Sequence, residues 1–329
     1  MKRLRKCILL MLLTCLIVSS MSFASNKIIL KLAHHYPMGH PHTLGCEYFK
    51  KVVETRSNRE IEVQLYPNNQ MGDSRQIFEN LMMGSLDIIL TDPGAPAFAK
   101  LPLWDMVMGP FMYRDYNHAY KVAHSPFMEK MYDDCEKKIG VTVISPIWSY
   151  GTRHLTTTRT AVRKPDDLKG LKIRTPEIPG FIKAIEVIGG TPTPISFGDL
   201  YLALKQNVVD GQENPVGVIY ANKYYEAQKY LILTGHIISK NTVFMNTAAL
   251  KKLSKKNQLL LKQVAEEAGL YNDKLMVDNE TEMMAKLKEL GMEIITPDTK
   301  AFHEKAMVGL KKWFNEGQLE FYNKIQSVK

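Results

Sequence analysis

Apolar positions repeat along this chain in two alternating rhythms. Ile28, Ile29, Leu30, Leu32 and Ala33 form a short apolar run, Leu44, Tyr48, Phe49, Val52 and Val53 then recur at helical spacing, and residues 61–66 alternate as Ile-Glu-Val-Gln-Leu-Tyr before Pro67. A period of two marks a strand and a period near 3.6 marks a helix, so the opening unit is strand, helix, strand. A helix over 75–83, a strand over 86–91, a helix over 127–138 and a strand over 141–147 continue the alternation. Together they predict an α/β lobe built on a mainly parallel sheet.

The pattern restarts at Gly151. Pro165-Asp166-Asp167-Leu168-Lys169-Gly170 is a turn signal leading into the strand Leu171-Lys172-Ile173-Arg174. A helix from Pro179 or Gly180 places Phe181, Ile182, Ile185 and Ile188 on one face and ends at Gly189-Gly190. A short strand over 193–195 follows, then a helix over 197–205 with Ser196 as N-cap and Asp199 at the third helical position. Beyond the polar stretch Asp210 to Pro215 the pattern predicts a helix over 216–229, in which Tyr220, Tyr224 and Tyr225 are packing residues. Strands at 231–233 and 242–245, a long helix from Lys256 to about Leu290, a strand over 293–295 and a helix from Thr299 complete the chain.

A length of 329 residues exceeds one ordinary core and suits two lobes, and contents of 45% hydrophobic and 23% charged residues are those of a soluble globular protein. Met1 to Lys6 is basic, Cys7 to Val18 apolar, and Ser22-Phe23-Ala24 small-ended, the three regions of a secretory signal peptide with cleavage expected after Ala24. The apolar core falls short of the ~20 residues that span a bilayer. No later stretch reaches that length, so the mature chain is expected to be soluble and periplasmic. Thr14, larger than the residue that lipoprotein cleavage sites take there, argues against lipidation at Cys15. Removing Lys2, Arg3, Arg5 and Lys6 with the leader reduces the net charge of +9 to +5. That excess lacks the clustered basic stripe with interleaved aromatics that nucleic-acid binding requires. Cys46 and Cys135 remain; an oxidising compartment permits a disulfide, but two separately buried thiols are expected.

Arg174 closes an alternating strand before Thr175-Pro176, and its planar fork of donors matches two carboxylate oxygens in a way no ammonium does. The competing arrangement is an ion pair with Glu177 at a solvated strand end. His34, His35, His40 and His42 are the densest histidine group, on a loop with Gly39 and two prolines and with no acid or cysteine at ligand spacing. Solvated or ligand-facing imidazoles are therefore expected there, and no metal. The chain carries no Gly-x-Ser-x-Gly elbow, His-Glu-x-x-His, Cys-x-x-Cys or phosphate-cradling glycine loop.

Several ordered motifs carry a resemblance. Gly151-Thr152-Arg153, Asp167 to Arg174, Pro192-Thr193-Pro194 with Phe197, Tyr201-Leu202-Ala203-Leu204 and Asp210 to Pro215 resemble the extracytoplasmic solute-binding proteins of tripartite ATP-independent periplasmic (TRAP) transporters. Tyr66-Pro67, Gln70 to Asp73, Gly84 to Asp87 and Tyr224-Tyr225-Glu226 extend the likeness over nearly the whole mature chain. The resemblance implies a two-lobed α/β periplasmic binding protein fold of type II-like form, with discontinuous domains, a hinge and a long bridging helix. Lobe I would comprise 25–150 with 240–280, and lobe II 151–239 with 281–329, the chain crossing near 148–151, 236–242 and 280.

It also implies roles in a cleft between the lobes. Arg174 and Asn214 would capture a carboxylate, Arg153 would make a second polar or charge contact beside it, and Phe197 would pack on an apolar ring face. His35 and Asp92 would read hydroxyls from lobe I. A second anionic end near Asp92 would be repelled, which favours a sugar acid (a uronate, aldonate or sialate) over a C4-dicarboxylate; a 2-oxo or aromatic acid stays open. The implied partners are that organic acid and a small and a large membrane subunit, with the protein a monomer that uses no cofactor. Two other classes are a ligand-presenting partner of a sensor kinase and a secreted enzyme, since glycosidase carboxylates carry no short signature.

Overall fold

Alternating burial along Ile28–Ala33 and Ile61–Tyr66 starts a sheet that runs through both lobes. The computed structural model describes residues 27–329. The leader with its cleavage site, and Cys15, lie outside the described residues. The elements are β1 (Ile28–Ala33), α1 (Pro41–Arg56), β2 (Ile61–Tyr66), α2 (Ser74–Met83), β3 (Ile88–Thr91), α3 (Leu103–Met106), α4 (Tyr116–Ala123), α5 (Pro126–Ile139) and β4 (Val141–Thr157). Then come β5 (Lys172–Thr175), α6 (Pro179–Ile188), β6 (Thr191–Pro194), α7 (Leu200–Lys205), β7 (Gly211–Pro215), α8 (Val216–Ala221) and β8 (Tyr230–Asn246). The chain ends with α9 (Thr247–Lys251), α10 (Lys255–Glu289), β9 (Glu293–Ile295), α11 (Thr299–Trp313) and α12 (Glu316–Ser327).

The strands run in the order β2-β1-β3-β8-β4-β7-β5-β6, with β9 on the other end of β8. The sheet is mixed rather than mainly parallel: β1 runs parallel to β2 and β3, and β5 to β6 and β7, but β8 is antiparallel to β3 and β4, and β4 to β7. The strand expected to stop at 147 continues to Thr157, and the two short strands expected at 231–233 and 242–245 are one strand, β8. Polar residues and Pro146, Gly151 and Gly235 interrupt the apolar pattern, yet the two backbones pair through the interruption with four register shifts. Such bulges bend a strand without ending it. These paired strands lie at the middle of the sheet.

Three other local expectations change. The helix expected over 216–229 ends at Ala221, because Lys223 adopts a left-handed φ of 56°, and one 3-10 turn, Tyr224–Glu226, follows. The helix expected from Phe197 starts at Leu200, and the Ser196 hydroxyl donates to the Asp199 carboxylate (2.6 Å) rather than capping it. The helix expected from Thr299 is two helices. The second, α12, packs toward the first part of the chain, where Ile325 O accepts from His118 Nε2 (3.0 Å) and Gln326 Nε2 donates to Met112 O (2.8 Å). Cys46 and Cys135 are separate, buried free thiols.

Helix α10 braces the crossing. Leu261, Val264, Ala265 and Ala268 repeat at helical spacing and are buried against α1 and β4. Asn272 Nδ2 donates to Ser149 O (2.8 Å), and Asp273 accepts from Ser149 N (2.6 Å) and from the Tyr116 hydroxyl (2.6 Å). The Trp148 indole donates to Ser145 Oγ and Ala265 O, both at 3.1 Å, and its ring fills the space between Gly45 of α1 and Gly269 of α10. A Cβ at Gly269 would lie 2.7 Å from that ring. Gly269→Ala gains about 0.5–1 kcal/mol of helix propensity but overpacks a rigid indole at a cost of about 1–3 kcal/mol. The expected net effect is a lower urea midpoint; an unchanged or higher midpoint would show that this seam is slack.

Candidate binding site

The two lobes meet over a small cavity. Lobe I supplies His35, Tyr36, Asn69, Ser74 and Asp92, and lobe II supplies Arg174, Phe197 and Asn214, with Tyr150 and Arg153 on β4 between them. All six residues proposed from the sequence line this one cavity. Its volume is about 30 Å³, room for little more than water, so an organic acid enters only if the lobes part. Lobe II residues Ile178 and Phe181 already sit in the lobe I apolar cluster with Trp104, Met108 and Phe244. The approach is close: a Cβ on Gly180 would meet Asp105 O at 2.3 Å.

Two buried arginines lie here in opposite states. Arg153, 2% exposed, donates through Nε and Nη2 to the Glu213 carboxylate (2.7 Å for Nη2–Oε1) and through Nη2 to Glu213 O (2.8 Å). Its guanidinium carbon lies 4.6 Å from the centroid of the Phe181 ring, and His236 Nε2 lies 3.5 Å from the same carboxylate. Burial pushes the Glu213 carboxyl up, but Arg153 and His236 hold it below the ordinary carboxylate range. The pair is charged and closed on itself, so Arg153 brings little uncompensated charge to the cavity.

Arg174 is the other case. It is 1% exposed, donates through Nε only to Ile195 O (2.8 Å), and its buried Nη1 has no hydrogen-bond partner among the described residues. Burial lowers its pKa. Glu177 lines the cavity without forming an ion pair with Arg174 among the described residues, so the alternative pairing considered for this arginine does not occur. Beside it, Asn214 Nδ2 donates to Gln212 (2.6 Å), Gln212 to Thr156 (2.9 Å), and Thr156 to Gln228 (2.8 Å). That chain orients the Asn214 amide from behind. A guanidinium held by one backbone carbonyl, with donors to spare, has the chemistry to take an oxyanion.

Lobe I offers a different chemistry. Burial raises Asp92 to about 6, against the opposing pull of Arg153. Burial and neighbouring cationic groups lower His35 to about 3, so its ring is neutral; Nδ1 lies 3.4 Å from Ser74 Oγ, and the ring centroid is 5.5 Å from that of Phe197. The other three histidines are not solvated as expected. His34, His40 and His42 are buried in an aromatic cluster with Tyr36, where His40 and His42 stack on the tyrosine at 4.7 and 4.5 Å. Burial lowers all of them, His34 to about 4 and His40 to about 3. The Tyr36 hydroxyl accepts from Asn241, which also donates to His42 Nε2 (2.8 Å). Among the described residues no three His, Cys, Asp or Glu side chains converge as metal ligands.

Tyr36 and Tyr150 line the cavity and Glu213 pairs with Arg153 behind it, and the sequence pattern singled out none of the three. Glu213 had a usable signal: Gly211 to Pro215 has few apolar residues yet lies between β4 and β5, both buried. A polar strand in a central position must find its partners inside the protein.

A two-lobed α/β chain with an anion-ready arginine in its cleft has the form of a solute-binding protein. The chain belongs to the bacterial extracellular solute-binding proteins, family 7 (DctP), whose model matches residues 32–316. It is a binding protein rather than an enzyme. It is 34% identical over 263 residues to the 2,3-diketo-L-gulonate-binding periplasmic protein YiaO of Escherichia coli K12, covering 79% of each chain. To the sialic acid-binding periplasmic protein SiaP of Vibrio cholerae it is 31% identical over 304 residues, covering 91% of this chain and 92% of the relative. A TRAP periplasmic solute-binding protein of Ochrobacterium anthropi, solved with bound L-fuconate, superposes with a TM-score of 0.84 at 33% identity, over 92% of this chain and 99% of that one. No helix among the described residues is long and apolar enough to cross a membrane.

The two buried acids predict opposite results in one urea-unfolding series. Glu213→Gln leaves the Arg153 charge uncompensated and is expected to cost about 3–5 kcal/mol. Asp92 has a raised folded pKa, so the folded state carries a growing penalty as pH climbs from 3.8 through about 6. Asp92→Asn is therefore expected to stabilise at pH 7.5 by up to about 3 kcal/mol, with the gain vanishing toward pH 4. A gain that instead grew on acidification would reverse the assignment.

Proposed function

We propose that this chain is the substrate-binding subunit of a TRAP transporter for a sugar monoacid, an aldonate, uronate or sialate, which it hands to a small and a large membrane subunit. The observation that carries the reading is the buried Arg174 with its unpartnered Nη1, next to an Asn214 amide oriented from behind. In the proposed complex the ligand carboxylate meets Arg174 and Asn214, an apolar face of the ligand packs on Phe197, and hydroxyls reach His35 and donate to Asp92. Arg153, closed on Glu213, shapes the wall and contributes at most Nη1. The unpaired Arg174 and the buried Asp92 favour a single carboxylate with a polyol tail over a dicarboxylate. The ligands named for similar proteins support this chemistry: L-fuconate, L-galactonate and D-glucuronate are all sugar monoacids.

Binding works by closure. The lobes, 25–150 with 240–280 and 151–239 with 281–329, turn about the paired strands β4 and β8, with helix α12 riding on lobe I. A ligand touching both walls favours the closed form only by its differential affinity for it. A thermal-shift screen against L-fuconate, L-galactonate, D-glucuronate, sialate, succinate and a 2-oxo acid tests the reading. One sugar acid is expected to stabilise the protein by ~2.7 kcal/mol at a hundredfold excess over its Kd. Arg174→Lys is expected to weaken that ligand at least about tenfold through loss of a charge-assisted contact. A shift with succinate alone, or undiminished affinity in Arg174→Lys, overturns the assignment.

Export is part of the same reading, with residues 1–24 removed as a signal peptide. The periplasmic fraction should contain a chain whose intact mass begins at Ser25. A diacylated terminus at Cys15 is the outcome that rejects it.

A further inference from the structure

A second cavity, of about 330 Å³, lies at the junction of loop 37–41, helix α8 and helix α10, bordered by Gly151 of β4. It is larger than the cleft cavity and falls in the range of small-molecule sites. Its walls are apolar and adaptable: Met38, Pro215 and Val218 face Met276 and Met283. Glu280 lies among them. Among the described residues it is the one carboxylate in the wall, no lysine or arginine lines the cavity, and Glu280 forms no ion pair. Burial withdraws the carboxylate partly from water and raises its pKa.

His40, a neutral ring, and Tyr220 also line the cavity. A largely apolar cavity whose one acid has no counter-charge among the described residues selects an apolar body carrying one positive charge. We propose that this cavity is a second small-molecule site, which takes an aromatic or alkyl monoamine with its ammonium against Glu280 and its apolar part among the methionines. The site is separate from the Arg174 cleft and requires no acid ligand. Gly217, on the lobe II wall, supplies an internal control. A Cβ there would meet nothing within 4 Å and its backbone is not left-handed, so a larger side chain grows into the cavity without strain at its own position.

The test is titration of the full-length exported chain with 2-phenethylamine by calorimetry, with 2-phenylethanol as the uncharged counterpart. Saturable one-to-one binding is expected. It should be abolished in Gly217→Leu and weakened about tenfold both in Glu280→Gln and for the alcohol, with the urea midpoint of Gly217→Leu near that of the parent and that of Glu280→Gln no lower. No saturable binding below about 10 mM overturns the proposal, as does unchanged affinity in Gly217→Leu or equal affinity for amine and alcohol. Binding of a basic aromatic peptide but not of the free amine also overturns it, in favour of a protein-docking groove.

Discussion

Burying a guanidinium is costly unless an acid offsets its charge, and of the two buried arginines in the cleft only Arg153 has one among the described residues. Arg153 on β4 and Glu213 on β7 neutralise each other where the lobes meet. Removing either partner leaves a buried charge, so the pair fixes which residues of the two strands face each other. It also settles the electrostatics of the cleft. With Arg153 satisfied, Arg174 is the cleft arginine with donors left over, and with Glu213 spent, Asp92 is the buried acid left to face the cavity. The proposed selectivity for one carboxylate joined to a polyol rests on this division.

The second constraint is mechanical. The two long strands β4 and β8 pair along most of their length, with residues 233–236 left out of the ladder, and an uninterrupted pairing would make a stiff ribbon. Four register shifts and glycines at 151 and 235 soften it at the crossing. Helix α10 limits the softening, because Trp148 is wedged at Gly269 and Ser149 is hydrogen-bonded to Asn272 and Asp273. The hinge therefore has a bend in the sheet and a brace behind it. The same brace, with α8 and loop 37–41, borders the second cavity, so the fold puts a largely apolar cavity next to the proposed pivot.

Much of this is legible in the amino-acid order. Element types follow from periodicity where apolar residues repeat cleanly, as in Ile61–Tyr66, Ser74–Met83, Pro179–Ile188 and the long helix Lys255–Glu289. The six proposed site residues come from motif resemblance, with a physical reason of its own for Arg174, and all six line one cavity. The pattern fails where polar residues are buried. The stretch from Thr234 to Asn241 in β8 contains Thr, Gly, His, Ser, Lys and Asn, and by its polarity it reads as a break between two strands. It is a strand because its neighbours cover it and side chains such as Lys240 and Asn241 find partners inside, at Val107 O and Tyr36.

Chain order alone settles local matters: which segments alternate, where glycine and proline end them, and that one arginine stands at a strand exit. These depend on residues a few positions apart, which the sequence contains directly. It took the packed molecule to establish that Arg153 is consumed by a glutamate 60 residues away while Arg174 keeps a buried Nη1 with no partner among the described residues. The same holds for three of the four histidines, which are neutral packing rings around Tyr36 rather than solvated groups. The physical reason is that charge state and hydrogen-bonding depend on which groups share a dry volume, and that is set by how distant segments pack, not by their spacing along the chain.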